Sequence, residues 1–117
     1  VNDRYGHDIG DKALRIVSDT IRVTARDDDV LVRWGGEELM VITRSAEKSA
    51  LTGFAERLRR AISNISDPDL PSITVSIGVS RSAPGEAFED AIVVRTDRAL
   101  YTAKQAGRDA VHALWKS

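Results

Sequence analysis

The sequence has no cysteine, which excludes structural disulfides and thiolate metal sites and is compatible with a reducing cytoplasm. It also lacks an excess of charge: 17 basic residues balance 18 acidic ones, for a formal net charge of -1. The basic surplus on which a general nucleic-acid or membrane-surface binder relies is therefore missing. No apolar run approaches the roughly 20 residues needed to cross a bilayer, and no signal-peptide pattern appears. Internal repeats and low-complexity linkers are absent. Only two histidines occur. His7 has no second His or Cys beside it, so it reads as a hydrogen-bonded loop residue rather than a metal ligand.

What is present is 117 residues, 42% of them hydrophobic, enough for one domain around one core. The chain opens without a methionine in a polar, turn-like segment, Val1-Asn2-Asp3-Arg4-Tyr5-Gly6-His7. That opening is the pattern of a piece of a longer polypeptide.

Apolar spacing predicts a first helix from Asp11, with Leu14, Val17 and Ile21 on its stripe and Ile16 and Ala25 beside it. Asp11, after Gly10, is placed to cap that helix, and residues 2–10 read as a loop. Val30 to Trp34 and Leu39 to Thr43 read as two strands, and the glycines between them mark a tight hairpin. Ser45 is a candidate cap for a second helix with the face Leu51, Phe54, Ala55, Leu58, Ala61, Ile62 and Ile65. Asp67-Pro68 and Leu70-Pro71 make a loop. Ile73, Val75, Ile77 and Val79 alternate with small polar residues and Gly78, the pattern of a half-buried strand. A third helix is expected from about Glu86 to Ala106, closed by Gly107 in a left-handed C′ position, followed by a short strand over Val111 to Leu114. The order αββαβαβ suits an α+β sandwich. A further strand upstream of Val1 is expected to belong to its sheet.

Four groups of residues offer chemistry. The segment Trp34-Gly35-Gly36-Glu37-Glu38-Leu39 sets two carboxylates on a hairpin tip, where Mg²⁺ could be held against a nucleoside triphosphate. The same charges would also keep an exposed hairpin from pairing with other chains. Asn2 and Asp11 together match the donor and acceptor edge of guanine; separately, they fit an Asx turn and a helix cap. Lys104 and Arg108, four residues apart around a helix end, could bind phosphate oxygens or simply complement the helix dipole. Arg26 and Asp29, with Arg33 nearby, form either a weak surface ion pair or a guanidinium site for a second nucleotide.

Five blocks then occur in order. They are Asn2-Asp3-Arg4-Tyr5-Gly6-His7-Asp8-Ile9-Gly10-Asp11, Arg26-Asp27-Asp28-Asp29, Arg33-Trp34-Gly35-Gly36-Glu37-Glu38-Leu39, Thr74-Val75-Ser76-Ile77-Gly78-Val79, and Asp97-Arg98-Ala99-Leu100-Tyr101-Thr102-Ala103-Lys104-Gln105-Ala106-Gly107-Arg108. Together they resemble the GGDEF-domain family, the diguanylate cyclases, over nearly the whole of residues 1–117.

The resemblance implies a nucleotidyl-cyclase or palm-like sandwich, a central, mostly antiparallel sheet flanked by helices. It implies condensation of two GTP to cyclic di-GMP and two pyrophosphates by a homodimer of cyclase domains. Control would come from an upstream sensory or dimerisation region, and the setting would be the cytoplasm, or the cytoplasmic part of a membrane-bound sensor. By position, Glu37 and Glu38 are implied as the catalytic carboxylates and ligands of Mg²⁺ (or Mn²⁺). Asn2 and Asp11 fall on guanine-reading positions, Gly35 and Gly36 on the signature turn that binds GTP, and Lys104 and Arg108 on phosphate contacts. Arg26 and Asp29 fall on an inhibitory product site, RxxD, with Arg57 as an added arginine. Leu39 stands where the family usually has phenylalanine and keeps most of its apolar volume. The family's Asp-x-Asp-x-Phe-Lys strand, with a metal carboxylate and a phosphate-binding lysine, would lie before Val1, so residues 1–117 alone are expected to be inactive. The alternative is a module that binds GTP or cyclic di-GMP without turnover.

Overall fold

The computed structural model describes residues 3–27, 29–33, 38–43, 47–83, 85 and 91–115, with backbone alone for 3–8. The elements are α1 (Asp3–Thr24), β1 (Val30–Arg33), β2 (Leu39–Ile42), α2 (Lys48–Ser63), β3 (Ser76–Val79), α3 (Val93–Gln105) and β4 (Ala110–Ala113). Both the α+β class and the order αββαβαβ are those that the apolar periodicity predicts.

The first helix is longer than expected. Residues 3–10, read from sequence as a loop, are its first turns. Its stripe runs back past Asp11, because Ile9 is half-buried one turn before the half-buried Ala13. Gly10 is tolerated inside the helix at about 1 kcal/mol relative to alanine, and a Cβ there would meet nothing within 4 Å. Asp11 is therefore an exposed mid-helix residue and not a cap.

Strands β1 and β2 pair antiparallel from Val30↔Ile42 to Arg33↔Leu39. The described ladder runs to Arg33↔Leu39; Gly35 and Gly36, expected to make a tight turn, lie outside the described residues. Strand β3 pairs in parallel with β4, from Ser76↔Ala110 to Val79↔Ala113, and α3 is the crossover that a parallel pair requires. The described strands thus form two separate pairs, one antiparallel and one parallel. The third strand is shorter than its alternation suggests, since Ile73 and Val75 precede it, yet both still pack on the core.

That core lies between the first two helices. Val17 and Ile21 of α1 meet Leu58 and Ile62 of α2, and Ile62 is 2% exposed. Burying each such side chain stabilises the fold by about 1.5–3 kcal/mol. Leu31, Leu39 and Val41 of the hairpin and Ile77 of β3 pack against the same cluster, so it ties the two strand pairs together. The second helix buries Ala55, Leu58 and Ile62 of its expected face. Its N-cap position is Glu47, which makes no side-chain capping bond; Ser45 lies outside the described residues.

The third helix packs on β3 and β4 with Ala99 and Ala103 fully buried. The approach is close because β3 carries Gly78, where a Cβ would stand 2.3 Å from the Leu100 backbone nitrogen and 2.7 Å from the Thr96 carbonyl oxygen. The α-helix proper starts at Val93 after a π-type turn at 91–92, later than expected, and residues 86–90 lie outside the described residues. Strand β4 begins one residue early, but Leu114 still donates its N–H to the Val79 carbonyl at 3.0 Å.

Candidate functional site

The residues singled out from sequence fall on two parts of the molecule. Asp11, Arg26, Asp29 and Glu38 belong to α1, the turn after it, and the hairpin. Lys104 is in the last turn of α3 and Arg108 in the turn after it; among the described residues α3 touches β3 and β4 and no other element. Asn2, Gly35, Gly36 and Glu37 lie outside the described residues, so Glu38 is the described member of the signature carboxylates.

Glu38 is half-buried and directly precedes Leu39, the residue that closes the hairpin ladder against Arg33. A rigid ladder therefore holds its backbone at the strand end. Its carboxylate is the hard-oxygen donor that Mg²⁺ or Mn²⁺ takes, and such ions commonly use one or two carboxylates together with substrate phosphates. Among the described residues no three His, Cys, Asp or Glu side chains gather to hold a metal ion.

Asp11 is freed from the capping role that sequence offered it. It stands exposed in α1 beside Lys12, whose ammonium is held at 2.8 Å by Asp69 and 3.3 Å by Asp67. Those partners lie on the turn after α2, closed by the Leu70 N–H to the Asp67 carbonyl at 3.1 Å and by the Asp69 N–H to the Asp67 carboxylate at 2.8 Å. The Asp69 N–H and Lys12 hold the Asp67 carboxyl below its ordinary range, and Asp69 and Asp67 push the Lys12 ammonium up.

The segment Arg26 to Asp29 is a closed turn. The Asp29 carboxylate accepts the Arg26 backbone N–H at 2.9 Å, and the Asp29 N–H donates to the Arg26 carbonyl at 3.0 Å. The aspartate thus engages the backbone, leaving the exposed Arg26 guanidinium outside any ion pair with it. Both residues line a concavity of about 300 Å³ with Ile21, Val30, Leu31 and Val41. Arg57 does not line it; its guanidinium lies over the Phe54 ring at 5.7 Å.

Lys104 is in the last turn of α3, where a cation complements the helix dipole. Arg108 is past the helix end, so the two do not share a continuous helical face. Gly107 has φ 110, donates to the Lys104 carbonyl at 3.3 Å, and is followed by Arg108, whose N–H reaches the Ala103 carbonyl at 3.2 Å. This is a Schellman motif; it ties the Arg108 backbone to the last turn of the helix. Arg108 and Asp109 continue with φ 63 and 45, a left-handed conformation that costs a non-glycine residue about 1–2 kcal/mol.

Three contacts escaped the sequence reading: the Lys12 clamp, the Gly78 approach and an ion pair between Arg59 and Asp109 at 2.9 Å. A glycine inside a strand signals close backbone approach, so Gly78 could have been found. The two ion pairs join residues more than forty positions apart and leave no local pattern.

The chain matches the family model for the diguanylate cyclase GGDEF domain over residues 1–110. It is 38% identical over 113 residues to diguanylate cyclase DgcM of Escherichia coli, covering 97% of this chain and 27% of that protein. Among solved structures it resembles the GGDEF domain of DgcB from Caulobacter crescentus in complex with c-di-GMP. That likeness has 34% identity and a TM-score of 0.80, covering 96% of this chain and 68% of the other. It also resembles the active GGEEF domain of a diguanylate cyclase from Vibrio cholerae, at 29% identity and a TM-score of 0.81, covering 99% and 75%. The chain spans about a quarter of the DgcM length and belongs to the GGDEF-domain family of diguanylate cyclases.

Proposed function

We propose that the polypeptide containing these residues is a diguanylate cyclase that condenses two GTP to cyclic di-GMP and two pyrophosphates. The observation that carries this reading is the joint retention of Glu37 and Glu38, Asn2 and Asp11, and Lys104 and Arg108 within a chain of this family. A domain that had become a mere binder would be free to lose its carboxylates.

In this reading Asn2 and Asp11 bind the guanine edge, and Asp11 is available because no helix terminus claims it. Lys104 and Arg108 bind phosphate oxygens and draw charge from the leaving pyrophosphate. Glu37 and Glu38 would hold Mg²⁺ (or Mn²⁺), which supplies charge neutralisation at the phosphates and lowers the pKa of a nearby hydroxyl. Each cyclase domain of a homodimer presents one GTP. The 3′-oxygen of one nucleotide forms a bond to the α-phosphorus of the other. The bond from that phosphorus to the pyrophosphate oxygen breaks, and Glu38 helps take up the hydroxyl proton. A second such step closes the ring. GTP supply places the domain in the cytoplasm, and control belongs to an upstream sensory or dimerisation region.

Arg26 and Asp29 make the product site, where the exposed Arg26 guanidinium would receive a phosphate or guanine of cyclic di-GMP; Arg57 would join only by swinging off Phe54. The test is product chromatography on the complete polypeptide with GTP and Mg²⁺. Cyclic di-GMP should form, should vanish in Glu38→Ala, and should slow its own synthesis less in Arg26→Ala. Binding of GTP without any product in the unaltered protein would favour the non-catalytic sensor.

A further inference from the structure

Arg59 is not one of the residues assigned a role above, yet it links α2 to the turn that presents Arg108. Its Nη1 donates to Asp109 Oδ1 at 2.9 Å across fifty positions of sequence. Its other donors are fixed one turn back on α2: Nε reaches Glu56 at 3.0 Å, and Nη2 also bonds Glu56. The side chain is 21% exposed, and bonds from Nε, Nη1 and Nη2 orient the guanidinium fork. A planar guanidinium held by two carboxylates is a rigid strut.

The strut ends on the unusual part of the turn. Arg108 and Asp109 are consecutive non-glycine residues with positive φ, a conformation that persists only where the surroundings hold it. The Schellman bonds fix the N-terminal side of this turn through Gly107 and the Arg108 N–H. On its C-terminal side the holding contact is Arg59 on Asp109, just before β4 begins at Ala110.

We propose that Arg59 is a positioning residue, which through Asp109 keeps Arg108 aimed at the nucleotide phosphates. This rests on the reading of Arg108 as a phosphate contact. Arg59 itself touches no phosphate; its effect is on the geometry of its neighbour's neighbour. Ligands with a triphosphate should feel its loss, and ligands without one should not.

The test uses the complete polypeptide and two probes: 3′-deoxy-GTP, which lacks the attacking hydroxyl, and guanosine, measured by competition. Arg59→Gln and Asp109→Asn should each weaken 3′-deoxy-GTP about tenfold and leave guanosine unchanged. The double variant Arg59→Gln/Arg108→Ala should bind 3′-deoxy-GTP no more weakly than Arg108→Ala, because a misaimed contact and a missing one are the same loss. Arg59→Lys, which keeps a cation on Asp109, should recover part of the affinity. If Arg59→Gln fails to fold, Asp109→Asn leaves the Arg59–Glu56 pair intact and makes the same comparison. Equal weakening of both probes, or additive effects in the double variant, would overturn the proposal while leaving the phosphate role of Arg108 standing. No effect of Arg108→Ala would overturn both together.

Discussion

Gly78 decides how near α3 can lie to β3. Any side chain there would press a Cβ onto the backbone of Thr96 and Leu100, atoms that cannot rotate away. Gly78→Ala should therefore cost at least about 3 kcal/mol, the upper part of the overpacking range. In a domain of this size that is a fall of more than about 10 °C in the thermal midpoint. Calorimetry checks it, and an unchanged midpoint would mean that α3 does not sit so close. Other single residues show what local sequence can and cannot convey. Gly107 was readable as a left-handed helix stop because only its own conformation is involved. Asp11 was misread as a cap, since a glycine followed by an aspartate is a strong local start signal; the half-buried Ile9 and Ala13 overrode it. The Arg26–Asp29 pair was readable as a turn, but whether the carboxylate bonds the guanidinium or the backbone depends on coordinates, not spacing.

The elements were readable wherever periodicity is unbroken, as in α2 and in the strands of the hairpin. Their ends were not, because ends depend on partners: β3 is strand only where β4 lies beside it. Beside the apolar core, ion pairs remote in sequence link α1 to the loop after α2 and α2 to the turn before β4, and these, with the Glu56 pairs inside α2, carry a pH signature. The Asp69 N–H and Lys12 depress the Asp67 carboxyl; chiefly Arg59, with Arg60, depresses Glu56. A carboxyl whose folded pKa is lowered contributes stability above its ordinary range and loses it as pH falls through the folded value. Lys12, raised by Asp69 and Asp67, contributes fully below its ordinary value and loses that contribution as pH rises through the raised one. Stability should thus be flat from about pH 5 to pH 10 as far as these groups are concerned and should decline on either side. Asp67→Asn keeps the turn's acceptor oxygen but removes the charge, so it should flatten the acid limb of a denaturation-versus-pH curve. An acid limb of unchanged slope would contradict that assignment. Because these pairs are exposed, salt should weaken the whole effect.

At the scale of the molecule, the two described strand pairs pack on one helical core, with Asp11 and Glu38 on the α1–hairpin part and Lys104 and Arg108 on the β3–α3–β4 part. That division explains why the candidate site was readable as blocks in order but not as a geometry: each block is local, and their meeting is a tertiary matter. It also explains the chemistry proposed. In the proposed reaction one nucleotide would bridge the two parts, base toward Asp11 and phosphates toward Lys104 and Arg108, and a second domain would bring the attacking hydroxyl. The most direct measurement is the stoichiometry of turnover by the complete polypeptide with GTP and Mg²⁺, following pyrophosphate and nucleotide product together. Two pyrophosphates should be released for each cyclic di-GMP formed, with both signals lost in Glu38→Ala. Pyrophosphate without cyclic dinucleotide, or turnover that survives Glu38→Ala, would contradict it.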